Sequence, residues 1–266
     1  MSSRQPIGVF DSGIGGLTVL KELIRELPSE DFVYFGDTAR VPYGAKSQDT
    51  IVKFSLENIE FLLRFRVKLI VIACNTSSAW ALATLKRYFK VPIVGVIRPG
   101  AEAAVDASRT KRIGVIGTHS TIQSLAYNAA IDQLNGRAQV FSQSCPLFVS
   151  LVEEGWVNDP VCAMVVRRYL TPLVKHKIDT LLLGCTHYPL LAPVIRHVVG
   201  PRVTVVDAAR RTAMAVRSVM EQDDLLAAQP RQGRVRCYVS DEPERFARVG
   251  ERFLGHEIRD VKLGGP

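Results

Sequence analysis

Two of the five cysteines, Cys74 and Cys185, occupy the same place in two similar stretches, Leu69-Ile-Val-Ile-Ala-Cys74-Asn-Thr and Thr180-Leu-Leu-Leu-Gly-Cys185-Thr-His. Each follows an apolar run that reads as a strand and precedes a run that reads as a helix start. A thiol at that junction faces unpaired backbone N–H groups and the positive end of the helix dipole, both of which favour the thiolate. One such site suggests a nucleophile. Two, related by an internal repeat, suggest an acid and a base that face each other across one substrate.

The polar residues beside the cysteines have a plainer use. Asn75-Thr76-Ser77-Ser78 and Thr186-His187 contain residues that cap helix N-termini. Capping does not explain why a cysteine precedes the cap in both copies. Taken alone, either cysteine reads as a buried strand-end residue; the repetition reverses that preference. Cys162 and Cys237 read as core positions, and Cys145 precedes Pro146 in a loop. The scattered, odd set argues against a disulfide framework, and no pair has zinc-ligand spacing. Among the histidines, only His187 adjoins a candidate thiol, while His119 sits where the second repeat matches Asp11-Ser12. His176, His197 and His256 have charged, surface-like surroundings, and Glu153-Glu154, near the end of a helix after Pro146, could reach the cleft but more often such a pair is solvated.

Asp11-Ser12-Gly13-Ile-Gly15-Gly16-Leu-Thr18 has part of the glycine pattern of a dinucleotide-binding turn, and Asp37 follows the next strand as a ribose-binding acid would. Thr18 stands at the third glycine position, and Asp11 would repel a pyrophosphate. A tight turn that presents Asp11 and Ser12 to a ligand accounts for the glycines equally well. Pro42-Tyr43-Gly44 reads as a second turn, with Tyr43 free to cover a ligand or to pack. No Gly-Lys-Ser/Thr phosphate loop, His-Glu-x-x-His helix or Gly-x-Ser-x-Gly elbow is present.

Short apolar runs alternate with amphipathic stretches along the chain. Strands are expected at 7–10, 32–35, 69–73, 93–96, 112–116, 139–141, 180–183, 203–206 and 235–239, with helices at 47–65, 160–174 and 208–220 among others. Such alternation predicts an α/β fold with mainly parallel sheets and flanking helices. Ile7-Gly-Val-Phe-Asp-Ser-Gly aligns with Ile113-Gly-Val-Ile-Gly-Thr-His, so two pseudo-symmetric domains are expected, with the site in the cleft between them. The break is placed at Val96-Ile-Arg-Pro99-Gly100. Residues 1–97 with 207–266 then form a discontinuous first domain and 98–206 the second. Strand C-terminal ends carry Asp11-Ser12, Cys74, Thr118-His119 and Cys185, where open α/β sheets bind ligands.

The chain has 266 residues, a net charge of +8 and 47% hydrophobic residues. The basic residues are dispersed and not interleaved with aromatics, which argues against a nucleic-acid site. No run approaches the ~18 apolar residues of a membrane span. The start lacks the apolar core of a signal peptide, so a cytoplasmic location is expected.

Gly-Val-Phe-Asp11-Ser12-Gly-Ile-Gly-Gly-Leu, Tyr-Phe-Gly-Asp37 with Pro-Tyr43-Gly44, Ala-Cys74-Asn75-Thr76 and Gly-Cys185-Thr186-His187-Tyr-Pro-Leu together resemble the bacterial glutamate racemases. The likeness runs over nearly the whole chain, and the two cysteine motifs also occur in looser form across the aspartate/glutamate racemase superfamily. The resemblance implies interconversion of L- and D-glutamate without pyridoxal phosphate, metal or other cofactor, to supply peptidoglycan synthesis. It implies that Cys74 and Cys185 are the two acid/base residues, and that Asp11, Ser12, Tyr43, Gly44, Asn75, Thr76, Thr186 and His187 bind substrate. Asp11 and His187 would assist the thiols on their respective sides, with Thr118 and Thr121 close by. A homodimer is the expected assembly. Regulation by a peptidoglycan-precursor activator, which the family associates with an N-terminal extension, is not expected.

Overall fold

Continuous apolar runs bounded by turns suit strands covered on both faces, and they form two wholly parallel sheets. We describe residues 5–227 and 232–266 of a computed structural model. The strands are β1 Ile7–Asp11, β2 Phe32–Gly36, β3 Leu69–Ile72, β4 Ile93–Gly95, β5 Arg112–Gly117, β6 Gln139–Ser144, β7 Thr180–Gly184, β8 Thr204–Asp207, β9 Val235–Val239 and β10 Lys262–Leu263. One sheet has the order β10-β9-β2-β1-β3-β4 and the other β6-β5-β7-β8. Every pairing is parallel. The central strands β1, β2, β3 and β7 are buried throughout.

The repeat seen in the sequence is also a repeat of topology. The order β2-β1-β3-β4 in one sheet matches β6-β5-β7-β8 in the other. In each, the chain leaves the first strand for one side and returns on the other, which opens a crevice at the strands' C-terminal ends. Asp11 and Cys74 end β1 and follow β3, while Thr118 and Cys185 follow β5 and β7, so both cysteines stand at the equivalent switch point. The strands β9 and β10 have no counterpart in the smaller sheet and lie beyond β2. A buried ion pair ties down the segment that precedes them: Lys68 Nζ lies 2.6 Å from Glu30 Oε2 and donates to the Leu225 carbonyl, and Ala227 N–H donates to Glu30 Oε1.

The Pro/Gly stretch at which the break is expected opens the helix Ile97–Ala107, which links β4 of the larger sheet to β5 of the smaller one. Pro99 falls in its first turn, where a missing N–H removes no helical hydrogen bond. Cys185 does not open a helix: it begins a turn that leads to a 3-10 segment, Tyr188–Leu191, and only then to the helix Ala192–Val199. The short strand β10 was not foreseen, because two exposed residues carry no periodic signal. Elsewhere local rules hold; Asp159 caps the helix Pro160–Lys175, accepting from Val161 N–H at 2.7 Å. No helix among the described residues is long and apolar enough to cross a membrane.

Candidate active site

The turn after β1 folds back so tightly that the Asp11 side chain is fully buried, with Oδ2 accepting the Gly13 N–H at 3.0 Å. Its Oδ1 has no hydrogen-bond partner among the described residues. Burial pushes the Asp11 carboxyl above the usual carboxylate range, against the opposing influence of His187 and the N–H groups of Gly16 and Gly13. Cys74 stands at the N-cap of the six-residue helix Asn75–Trp80, and its Sγ–H donates to Ser12 Oγ at 3.6 Å. Burial, then the neighbouring Asp11 carboxylate, push the Cys74 thiol up to about 11. The expected helix-terminus effect is therefore outweighed here, and Cys74 is held as a thiol.

The second cysteine has a different escort. Cys185 Sγ lies 4.0 Å from His187 Nδ1, and His187 Nε2 lies 3.0 Å from Glu153 Oε1. Burial opposes a charged imidazole, but contacts with Cys185 and Glu153 outweigh it and hold His187 up at about 10. Burial likewise opposes ionisation of Glu153, yet His187 first, then Arg245 and Arg252, keep it below the usual carboxylate range. Of the two readings left open for Glu153-Glu154, Glu153 follows the one that reaches the site, and Glu154 is the exposed member of the pair. No local pattern signals that a carboxylate at a helix end will meet a histidine 34 positions later.

The loops at the ends of the two sheets touch. A Cβ on Gly15 would stand 2.3 Å from Thr186 Oγ1 and 2.5 Å from His187 Nδ1, so only glycine allows this approach. Thr18 Oγ1 donates to the Thr186 carbonyl at 3.2 Å. That contact accounts for the glycine turn, and for a threonine at position 18, without a dinucleotide. Thr76 Oγ1 lies 3.0 Å from Thr118 Oγ1 and 2.9 Å from Thr121 Oγ1. Tyr127, which sequence reasoning missed, donates its hydroxyl to Asn75 Oδ1 at 2.5 Å and so turns the Asn75 NH2 away from itself. A cavity of about 10 Å³, room for roughly one water, is lined by Asn75 and Cys185 together with Thr18, Thr186 and Asp207.

Tyr43 is 1% exposed, and its hydroxyl is already engaged. It donates to Asp37 Oδ2 and accepts from Asn58 Nδ2, the latter at 3.1 Å. Arg40 spans Asp37, Glu57 and Asn58, and Ser240 Oγ donates to Asp37 Oδ1 at 3.0 Å. What Tyr43 leaves for a ligand is the backbone that leads to Gly44. Gly44 packs on Thr118, whose Cβ would be 2.5 Å from a Cβ added to the glycine. His119, His176, His197 and His256 are exposed, and Cys145, Cys162 and Cys237 are buried free thiols.

The model of the Asp/Glu/Hydantoin racemase family matches residues 7–216. A curated glutamate racemase of Geobacter metallireducens is 51% identical over 255 residues, 96% of this chain and 94% of its own. The crystal structure of a Bacillus anthracis glutamate racemase is similar with a TM-score of 0.95 and 40% identity over 98% of both chains. That of the Francisella tularensis glutamate racemase, in complex with D-glutamate, gives a TM-score of 0.92 at 39% identity, again over 98% of both. The chain belongs to the Asp/Glu/Hydantoin racemase family, among its glutamate racemases.

Proposed function

We propose that this protein interconverts L- and D-glutamate by two-cysteine acid/base catalysis without a cofactor, and so supplies D-glutamate for peptidoglycan. The observation that carries the reading is the pair of thiols at equivalent strand ends, each with its own proton-handling neighbour. Cys74 has Asp11, and Cys185 has His187 backed by Glu153. Racemisation removes the α-proton from one face and returns a proton to the other, so at any moment one sulfur must be anionic and its partner protonated. Burial keeps Cys74 as the thiol. At the other sulfur, His187 Nδ1 lies 4.0 Å away, placed to exchange a proton with it.

Each sulfur then has to approach the α-carbon to about 3.5 Å, which sets them about 7 Å apart around the substrate. The NH2 of Asn75, the hydroxyls of Ser12, Thr76 and Thr186, and the backbone of Tyr43 and Gly44 are assigned to the substrate's carboxylates. Neutral donors there stabilise charge that grows as the proton leaves. Asp11 Oδ1, buried and unpartnered among the described residues, is the acceptor assigned to the ammonium group. Admission of an amino acid requires the touching loops to part, since the space beside Cys185 is about 10 Å³.

We assign residues 1–97 with 207–266 to a first domain and 98–206 to a second, with the substrate between them. A cytoplasmic homodimer completes the reading; five free thiols suit a reducing compartment. Incubation of pure protein with L-glutamate in heavy water tests the chemistry, with α-deuterium uptake and chirality followed together. Uptake without inversion, or inversion of aspartate in preference to glutamate, would overturn it.

A further inference from the structure

The C-terminal helix Pro243–Leu254 lies in the segment between β9 and β10, which extend the larger sheet, yet two of its arginines reach the loops of the smaller one. Arg252 Nη2 donates to the Glu153 carbonyl at 2.9 Å. Gly155, at φ 80°, turns the chain just beyond, and a Cβ there would stand 2.4 Å from Arg252 Nη1. The guanidinium therefore sits directly on this turn. Arg245 Nη2 lies 3.6 Å from Glu153 Oε2 and 3.7 Å from Glu154 Oε1, while its Nη1 lies 3.6 Å from Glu242 Oε2. Phe253 meets the His187 ring nearly at right angles, with centroids 5.3 Å apart. A cavity of about 40 Å³ is lined by Gly13, Glu153 and Arg245. One helix thus touches Glu153 at both backbone and side chain, and His187 at its ring.

A carboxylate hydrogen-bonded to an imidazole fixes the ring's orientation and its proton. Whatever fixes the carboxylate is then part of the same arrangement. Glu153 is the last residue of the helix Leu147–Glu153. Carbonyls at a helix end lack intrahelical partners, and a cation there also suits the dipole. Arg252 satisfies one of those carbonyls, and Arg245 places a second positive charge beside the carboxylate. Among the hydrogen bonds and ion pairs of the described residues, none links this helix to Cys74, Asp11 or Ser12.

We propose that Arg252 and Arg245 are positioning residues for the Cys185 side, holding Glu153 so that His187 keeps its place beside the Cys185 sulfur. The proposal rests on the reading of Cys185 as one of two acid/base groups, and its signature is directional. When one of two proton transfers is slowed, the primary α-deuterium isotope effect on kcat/KM rises in the direction where that sulfur removes the proton. In the other direction it falls, because the labelled transfer no longer limits the rate. Loosening of the whole molecule has no such signature.

The test measures both isotope effects in the wild-type enzyme, Cys185→Ser, Arg252→Met, Arg245→Met, Arg245→Lys and, as a control, the exposed Arg248→Met. Arg252→Met is expected to lower kcat/KM roughly tenfold, less than the ~10²–10⁴ that a proton-transfer group itself supplies. Its two isotope effects should diverge in the same sense as those of Cys185→Ser. Arg245→Met should show a smaller divergence of the same sign; Arg245→Lys and Arg248→Met should match the wild type. Arg245 is 41% exposed, so its variants report even if Arg252→Met fails to fold. Isotope effects that stay fixed, or move together in both directions while kcat/KM falls, overturn the proposal. Inversion of glutamate and its loss in Cys185→Ala check the underlying reading separately, and failure there removes both.

Discussion

Gly15 approaches Thr186 so closely that a Cβ on the glycine would stand 2.3 Å from Thr186 Oγ1, and this contact joins the turn that holds Asp11 to the turn that holds Cys185. Gly15→Ala must push these turns apart by more than a bond's flexibility allows. Overpacking of this kind costs about 1–3 kcal/mol in stability. The larger effect should be on catalysis, because misplacement of about 1 Å costs ~10²-fold. Racemisation rates and a denaturant midpoint on the same preparation check this; near-normal kcat/KM would show that the turns are free to separate.

Replacement of either sulfur separates the two faces. Cys74→Ala and Cys185→Ala should each abolish inversion while the circular dichroism spectrum is unchanged. With serine in place of one cysteine, that face becomes the slow one. Cys74→Ser and Cys185→Ser should therefore raise the α-deuterium isotope effect in opposite directions of the reaction. Mild, equal effects from both starting enantiomers would count against two bases.

The His187–Glu153 pair should be visible in stability as a function of pH. His187 is held up at about 10 in the folded protein, against 6.5 for a free imidazole. Its folded value is the higher one, so its contribution is complete below about pH 6.5 and is lost as pH rises through 10. His187→Asn should flatten this part of the stability profile. Urea midpoints at pH 6, 8 and 10 for both proteins decide the matter, and parallel curves would refute the coupling.

Tyr43 tests whether a fully engaged side chain can govern binding from behind the site. Tyr43→Phe leaves Asn58 Nδ2 and Asp37 Oδ2 short of a partner, at a cost of about 1–3 kcal/mol. Loosening of the loop that leads to Gly44 should raise KM more than it lowers kcat. Steady-state kinetics with glutamate checks the split; a fall in kcat alone would place the hydroxyl in the chemical step instead.

Much of this was legible in the sequence because the signals were local and repeated. Runs such as Leu69–Ile72 and Thr180–Leu183 are buried strands whose apolar continuity has no competing helical period. Cys74 and Cys185 stood out because duplication placed each at the end of such a run. Glu153 did not, since its partner His187 is brought to it by tertiary packing alone. Tyr127, Asn58 and Arg252 were invisible for the same reason: each acts on a residue of another loop. The helix-dipole argument for both thiols failed in two ways, through burial at Cys74 and through a turn in place of a helix at Cys185.

The placement of β9 against β2 also orders events during synthesis. The strand Phe32-Val-Tyr-Phe-Gly36 is completely buried in the finished sheet, and its outer neighbour is supplied by Val235–Val239, near the end of the chain. Until Val235–Val239 leaves the ribosome, about 200 residues after β2, an apolar strand with unpaired N–H and C=O groups faces solvent, a template for pairing with other nascent chains. Premature termination ahead of Val235 would leave that edge open for good, which makes incomplete translation products of this protein natural clients for chaperones.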